Sequence, residues 1–306
     1  MMLELNEKKI RKGKPIGLPY QGSKKKISKK IVEIIKQNFG TEKPIYDIFG
    51  GGGAITAECI LNGLEVHYND LDRTITDMFQ RVLATDREFL KTLIVSRDEF
   101  LKIREKENKT VDDNLKLLVN SFGNNKRSYL YSEKLSDSKY NLAVEIIEKY
   151  DTFDGYRKTE TYLEAKDIFK DQDCQKTQQD RMDRLQQLQR LQQLERLQQL
   201  GRLQQREVTN LDYTEFSGVE HAILYLDPPY QNTELDGYSI KYFDNQSFYD
   251  WAYEMSKKNI VLISSYEISD ERFKCVYEFK NAKSTLAPNG VGNKTEKLFM
   301  VKKGEE

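Results

Sequence analysis

The chain has 306 residues, 38% hydrophobic and 32% charged, with 49 basic side chains against 49 acidic ones. That length holds one large domain or a catalytic domain with a substantial insertion, and the apolar share suffices for a core beneath a well-solvated surface. The balanced charge gives no sign of a polyanionic partner, no run of about 18 apolar residues offers a membrane span, and Cys59, Cys174 and Cys275 are too scattered for a disulfide framework or a paired-cysteine zinc site.

Met1 to Lys14 is charged and lacks the apolar stretch of a signal peptide, so a cytoplasmic protein is expected. Basic residues dominate up to Gly40, with Lys24, Lys25, Lys26, Lys29 and Lys30 close together; on charge alone this is a solvated helix face. Ile27, Ile31, Ile34 and Ile35 recur at helical spacing and predict an amphipathic helix from an N-cap at Ser23 to about Phe39. Pro44 to Phe49 then predicts a short strand, Gly50 to Gly53 a turn, Ala54 to Leu61 a helix and Glu65 to Asn69 a second strand. Strand, glycine turn, helix, strand is the opening of a parallel α/β sheet.

From Arg73 to Ile147 the pattern is mainly helical, interrupted at Asn120 to Ser132 by a stretch rich in Gly, Asn, Lys, Arg and Tyr. Strand signals return at Glu207 to Leu211, Ala222 to Leu226, Ile260 to Ile263, Lys274 to Phe279 and Lys297 to Val301. The predicted fold class is therefore α/β, a Rossmann-like mixed sheet formed by residues 1–74 and 206–306 and split by a helical insertion at residues 75–205. Within the insertion, a low-complexity tract at residues 184–205 repeats leucine every third position from Leu185 to Leu203. A step of three turns through about 300° on an α-helix, so these leucines spiral around the helix and make a poor zipper. The expectation is a peripheral helix about 28 Å long, weakened near its end by Gly201.

The most informative stretch is Ile223 to Tyr230, an apolar strand that stops at Asp227-Pro228-Pro229-Tyr230. Prolines cannot continue a central ladder, so Asp227 and Tyr230 are expected at the carboxyl edge of the sheet, where ligands bind in open α/β folds. An acid before two prolines can also be a plain turn. The set nevertheless matches what methylation of an exocyclic amino group needs. The Asp227 carboxylate and the Pro228 carbonyl can accept from the two amino hydrogens, Pro229 stiffens the loop, and Tyr230 can stack on a base taken out of the duplex. Alignment and electrostatics suffice for such a transfer, and it requires no metal.

Upstream, Asp47-Ile48-Phe49-Gly50-Gly51-Gly52-Gly53 closes the first strand with a loop whose backbone can approach a ligand; Asp47, Phe49, Gly51 and Gly53 are the candidate cofactor contacts there. The Lys-Ser/Thr of a phosphate-binding loop is missing. Asp70 ends the second strand about 20 residues after the glycines, the spacing at which such sheets bond ribose hydroxyls. This pattern suits a dinucleotide as well as S-adenosylmethionine, and the Asp-Pro-Pro-Tyr loop favours the latter.

Taken in order, Tyr20-Gln21-Gly22-Ser23-Lys24, Phe49 to Gly53, Asp70, the insertion and Asp227 to Tyr230 resemble the Dam-type family of adenine-specific DNA methyltransferases. The resemblance implies that Tyr20, Lys24, Asp70 and Asp227 contact S-adenosylmethionine, that Asp212 borders the cofactor adenine, and that Asp227 to Tyr230 form the target-base pocket. It also implies double-stranded DNA as substrate, with a cognate restriction endonuclease as a compatible partner and no membrane association. Phe122 to Tyr129 is similar in position and composition to the family's base-contacting loop, with Asn124, Asn125, Lys126, Arg127 and Tyr129 as candidate DNA contacts; Asn and Arg can pair bidentately with adenine and guanine. An ordinary surface loop is the alternative. Methylation of a cytosine amino group or of RNA, and a catalytically silent DNA-binding protein, are the rival functions.

Overall fold

The computed structural model describes residues 2–20, 23–170, 185–201, 208–230, 243–283 and 295–302. Its strands are β1 (Ile45–Asp47), β2 (Val66–Asn69), β3 (Val208–Thr209), β4 (Ile223–Leu226), β5 (Ile260–Ser265), β6 (Phe273–Lys283) and β7 (Thr295–Val301). Its α-helices are α1 (Ser28–Phe39), α2 (Ala54–Leu61), α3 (Arg73–Leu83), α4 (Arg87–Lys91), α5 (Arg97–Glu105), α6 (Val111–Asn120), α7 (Glu133–Tyr150), α8 (Glu160–Lys170), α9 (Gln186–Gly201) and α10 (Asn245–Met255). Of the positions singled out above, Gln21, Gly22, Cys174, Arg184 and residues 202–207 lie outside the described residues.

Contacts divide the chain into two units, one of Met1–Ile16, Ser23–Thr76 and Gln204–Glu306, the other of Gly17–Gly22 and Asp77–Leu203. The first carries a sheet of order β3-β2-β1-β4-β5-β7-β6. β3, β2, β1, β4 and β5 run parallel, while β7 pairs antiparallel with both β5 and β6. The fold is thus the mixed α/β sheet predicted from the sequence. Strand order reverses beside β1, because the chain moves out through β2 and β3 and then returns to β4 on the other side of β1. Such a reversal opens a crevice beyond the carboxyl ends of the two central strands.

β4 is buried throughout, as expected of a parallel strand covered on both faces. Ile223 and Tyr225 join one core with Ile31, Ile35 and Ile55. Leu224 and Leu226 point the other way, into a core with Phe248 and Ala252 of α10. Each fully buried aliphatic side chain of this kind contributes roughly 1.5–3 kcal/mol. Helix α1 starts later than expected. Lys24–Lys26 form a separate 3-10 turn, Ser23 makes no capping bond, and the non-helical Ile27 (φ −123°, ψ −4°) separates the two elements. Lys24 is thereby taken off the solvated helix face that its charge run suggested.

The second unit is helical, and α9 overturns the expectation of a peripheral helix. Leu185, Leu188, Leu191, Leu194, Leu197 and Leu200 are all buried. The reason lies in the same step of three: leucines that spiral make every face partly apolar, and a helix apolar all round belongs inside a core. Three of its buried polar side chains donate to groups of the same unit. Gln187 Nε2 donates to Asn120 Oδ1 at 2.6 Å, Arg190 donates to the Leu118 and Val119 carbonyls at 3.1 and 2.7 Å, and Gln198 donates to the Thr85 carbonyl at 3.0 Å. Arg190 therefore satisfies the last-turn carbonyls of α6. Burial lowers its pKa to about 10, which leaves it charged at neutral pH. Gly201 is a close-packing residue, since a Cβ there would run into the backbone of Leu83. Leu191→Ala should cost about 2–5 kcal/mol by cavity formation, read as a lowered denaturation midpoint. An unchanged midpoint would contradict the central position of α9.

Candidate active site

β4 delivers its last apolar residue at Leu226, and Pro228 and Pro229, which lack N–H donors, take the chain out of the ladder. Asp227 is left at the carboxyl edge, largely buried. Its Oδ2 lies 2.8 Å from Lys24 Nζ, and its Oδ1 lies 3.1 Å from the Tyr230 hydroxyl. The structure thus brings Lys24, Asp227, Pro228, Pro229 and Tyr230 together. The Lys24 ammonium also sits 4.9 Å from the centre of the Tyr230 ring, within cation–π range.

Three residues that the sequence reading missed complete this group. Glu296, the second residue of β7, accepts from the Tyr230 hydroxyl at 2.7 Å and lies 3.7 Å from Lys24 Nζ. Ser264 of β5 donates to the same glutamate oxygen at 3.4 Å. The Tyr266 ring meets the Tyr230 ring edge to face, with centroids 4.6 Å apart. Burial pushes the Asp227 carboxyl up to about 6; Lys24 opposes the shift and Glu296 adds to it.

The neighbouring loop supplies a second carboxylate. Asp70 accepts from the Gly51 N–H and the Asp72 N–H, both at 2.8 Å, one at each oxygen. Gly51 and Gly53 have positive φ angles of 48° and 69°, which L side chains rarely adopt, so the turn that aims the Gly51 amide at Asp70 requires glycine. Burial raises the Asp70 carboxyl to about 6 against these two amides. Asn69 locks the adjacent strand ends by donating to the Ile48 and Leu211 carbonyls at 2.9 and 3.0 Å and accepting from the Leu211 N–H at 2.9 Å. Leu71 and Leu211, on either side of this lock, are 47% and 44% exposed, unusual for large apolar side chains beside a polar edge.

The remaining candidates fall in varied places. Asp47 is buried and accepts from the Thr56 N–H and hydroxyl at 3.1 and 2.6 Å, tying β1 to α2; burial raises it to about 7, with Asp227 and Asp70 adding to the shift. Phe49 packs among Tyr213, Phe243 and Phe248. Asp212 caps the following 3-10 turn by accepting from the Thr214 N–H at 3.0 Å. Tyr20 is half-buried, in the short segment that groups with the helical unit.

In that unit, Ser121 and Tyr129 pair across a loop closed by the Phe122 N–H to the Ser128 carbonyl at 2.7 Å. Gly123, Asn124 and Lys126 have positive φ, and Asn125 Oδ1 accepts from the Arg127 and Ser128 amides, so Asn125 shapes the turn. Phe122 and Arg127 are exposed, whereas Asn124 and Lys126 are half-buried. Tyr129 departs from its expected place among the outward-facing contacts. It is buried against Phe100 and Tyr131, and its hydroxyl donates to the Val95 carbonyl at 2.9 Å, because an aromatic at the base of so short a loop is drawn into the core below it. No group of metal-ligating side chains and no helix long and apolar enough to cross a membrane occurs among the described residues.

No curated protein matches the chain. The sequence profile of the D12 class N6 adenine-specific DNA methyltransferases matches residues 20–286, a span that runs from Tyr20 through the glycine loop, Asp70 and Asp227 to Tyr230. A match over that much of the chain, on a sheet whose strand reversal gathers the glycine loop, Asp70 and Asp227 at one edge, places this protein in the D12 class N6 adenine-specific DNA methyltransferase family, and it is an adenine-specific DNA methyltransferase.

Proposed function

We propose that the protein transfers a methyl group from S-adenosylmethionine to the N6 amino group of an adenine flipped out of duplex DNA, at a specific sequence. The observation that carries this reading is the charge of the sheet edge. Asp47, Asp70 and Asp227 gather there; Asp227 adds to the upward shift of both other carboxyls, and Asp70 to that of Asp47. A glycine loop before a helix usually suits a pyrophosphate, but three mutually repelling carboxylates disfavour a polyanion and favour a cationic ligand such as a sulfonium.

The residues fit that cofactor in other respects. Asp70 keeps lone pairs beyond its two amide bonds for ribose hydroxyls. Exposed Leu71 and Leu211 offer an apolar seat for a flat ring, and the Ser23 hydroxyl, next to Lys24, is buried with no hydrogen-bond partner among the described residues. S-adenosylmethionine, when bound, supplies an activated electrophilic methyl. The chain's own residues do the rest. Asp227 and the Pro228 carbonyl accept from the two amino hydrogens, which localises the nitrogen lone pair, and Tyr230 gives the flipped base a stacking surface. Lys24 restrains Asp227, and Tyr20 belongs to the cofactor set by the family's motif order.

For the DNA, Arg127 and Phe122 are exposed on the loop with Asn124 and Lys126 half-buried beside them, a composition suited to base edges, phosphates and stacking. Asn125 and Tyr129 hold the loop's shape. A restriction endonuclease of matching specificity is a compatible partner.

Transfer of labelled methyl from S-adenosylmethionine to unmodified DNA, with RNA alongside and nucleoside analysis after it, tests the reaction; methyladenine in DNA alone is the expected product, and label in cytosine or RNA would overturn it. Asp227→Ala should lower kcat by about a hundredfold or more while duplex binding persists. Because Asp227 accepts only as the carboxylate and its pKa is raised to about 6, kcat should fall as the pH drops through about 6 and level off above it. Duplex affinity should drop about tenfold or more between 50 and 200 mM salt by counterion release; a flat salt response would argue against a phosphate-contacting interface.

A further inference from the structure

Glu296 lies far from the catalytic motif in sequence, yet the topology explains why it is there. β7 runs antiparallel to β5, with Ser265 opposite Lys297, so β7 begins at the edge where the parallel strands end. Glu296, one residue before that pair, therefore reaches the edge occupied by Asp227. Its two oxygens are both engaged: Oε2 by the Tyr230 hydroxyl at 2.7 Å and by Ser264 at 3.4 Å, and Oε1 by Lys24 at 3.7 Å.

The phenol has one hydrogen and two carboxylates within reach, Glu296 at 2.7 Å and Asp227 at 3.1 Å. The shorter contact takes it. The choice has a chemical consequence, because Asp227 Oδ2 already faces Lys24 at 2.8 Å and Oδ1 is the oxygen left to receive an amino N–H. A phenol turned wholly towards Asp227 would compete with the amino group at that oxygen and draw charge from it.

We propose that Glu296 is a positioning residue of the methyltransferase site: by holding the Tyr230 hydroxyl and sharing Lys24, it fixes the stacking ring and leaves Asp227 Oδ1 open to the target amino group. This rests on the amino-methylation reading above. Wild-type methyl transfer is measured first, so failure of that reading appears as no transfer by the unaltered protein, whereas the present proposal is judged only on variants.

Glu296→Ala should lower kcat about tenfold to a hundredfold, the loss expected for a charge-assisted hydrogen bond, with S-adenosylmethionine affinity within about twofold of wild type. Glu296→Gln, whose side-chain carbonyl still accepts from Tyr230, should recover most of kcat. It should also move the acid limb of the pH profile to lower pH, since a negative neighbour of Asp227 is gone while Lys24, Asp47, Asp70, Tyr225 and Tyr230 remain. Tyr230→Phe combined with Glu296→Ala should be no slower than the slower single variant, because the two act through one bond. Wild-type kcat in Glu296→Ala, or additive losses in the double variant, would overturn the proposal. Should Glu296→Ala fail to fold, an unmoved acid limb in Glu296→Gln would overturn it equally.

Discussion

A carboxylate withdrawn from water at the end of a central strand must be neutralised or it will protonate, and the site is built around that requirement. Lys24 meets it for Asp227. The lysine can do so because the basic run preceding α1 breaks at Ile27, detaching Lys24 from the helix surface. The ammonium offsets only part of the desolvation, which leaves Asp227 an acceptor that ionises near neutrality instead of an inert buried anion. The other buried acids are held differently, Asp70 by backbone amides and Asp47 by Thr56. Three carboxylates at one edge thus carry three kinds of counterweight: an ammonium, peptide dipoles and a hydroxyl.

The helical unit solves a different problem. The loop from Ser121 to Tyr129, nine residues long, is shaped from within by Asn125, and its base is fixed from below. Tyr129 and Asn120 both meet Gln187 on the first turn of α9, and the Tyr131 hydroxyl accepts from the Gln186 N–H at 3.0 Å. The presentation of the loop therefore depends on packing in the middle of the unit and on buried amide groups, which are costly to leave unpaired.

Much of this was legible in the sequence because it is written in local pattern. The unbroken apolar run Ile223 to Leu226, the glycine turn and the strand-ending prolines each identify an element and its edge. Glu296 and Ser264 were not legible, since their relevance arises from an antiparallel strand that returns to the same edge, and no local motif announces strand order. Tyr266 is seen only once its ring is placed against Tyr230. The repeat helix was misjudged for another reason. A spiral of leucines lacks a seam, but it also spreads apolar contacts around most of the helix, so that most of its surface is buried. Tyr129 shows the limit of motif transfer, because membership of a loop does not say which side chains face outward.

The repeat helix carries one more implication. Its tract looks like the product of unconstrained triplet duplication, and the leucine pattern alone would survive the gain or loss of a Leu-Gln-Gln unit. Its two ends would not. Gln187 is tied to Asn120 near one end, and Gly201 is pressed against Leu83 at the other. One added triplet would shift these anchors by about 4.5 Å along the axis and about 60° around it. A segment of repetitive composition is thus held to a fixed count of residues by its geometry.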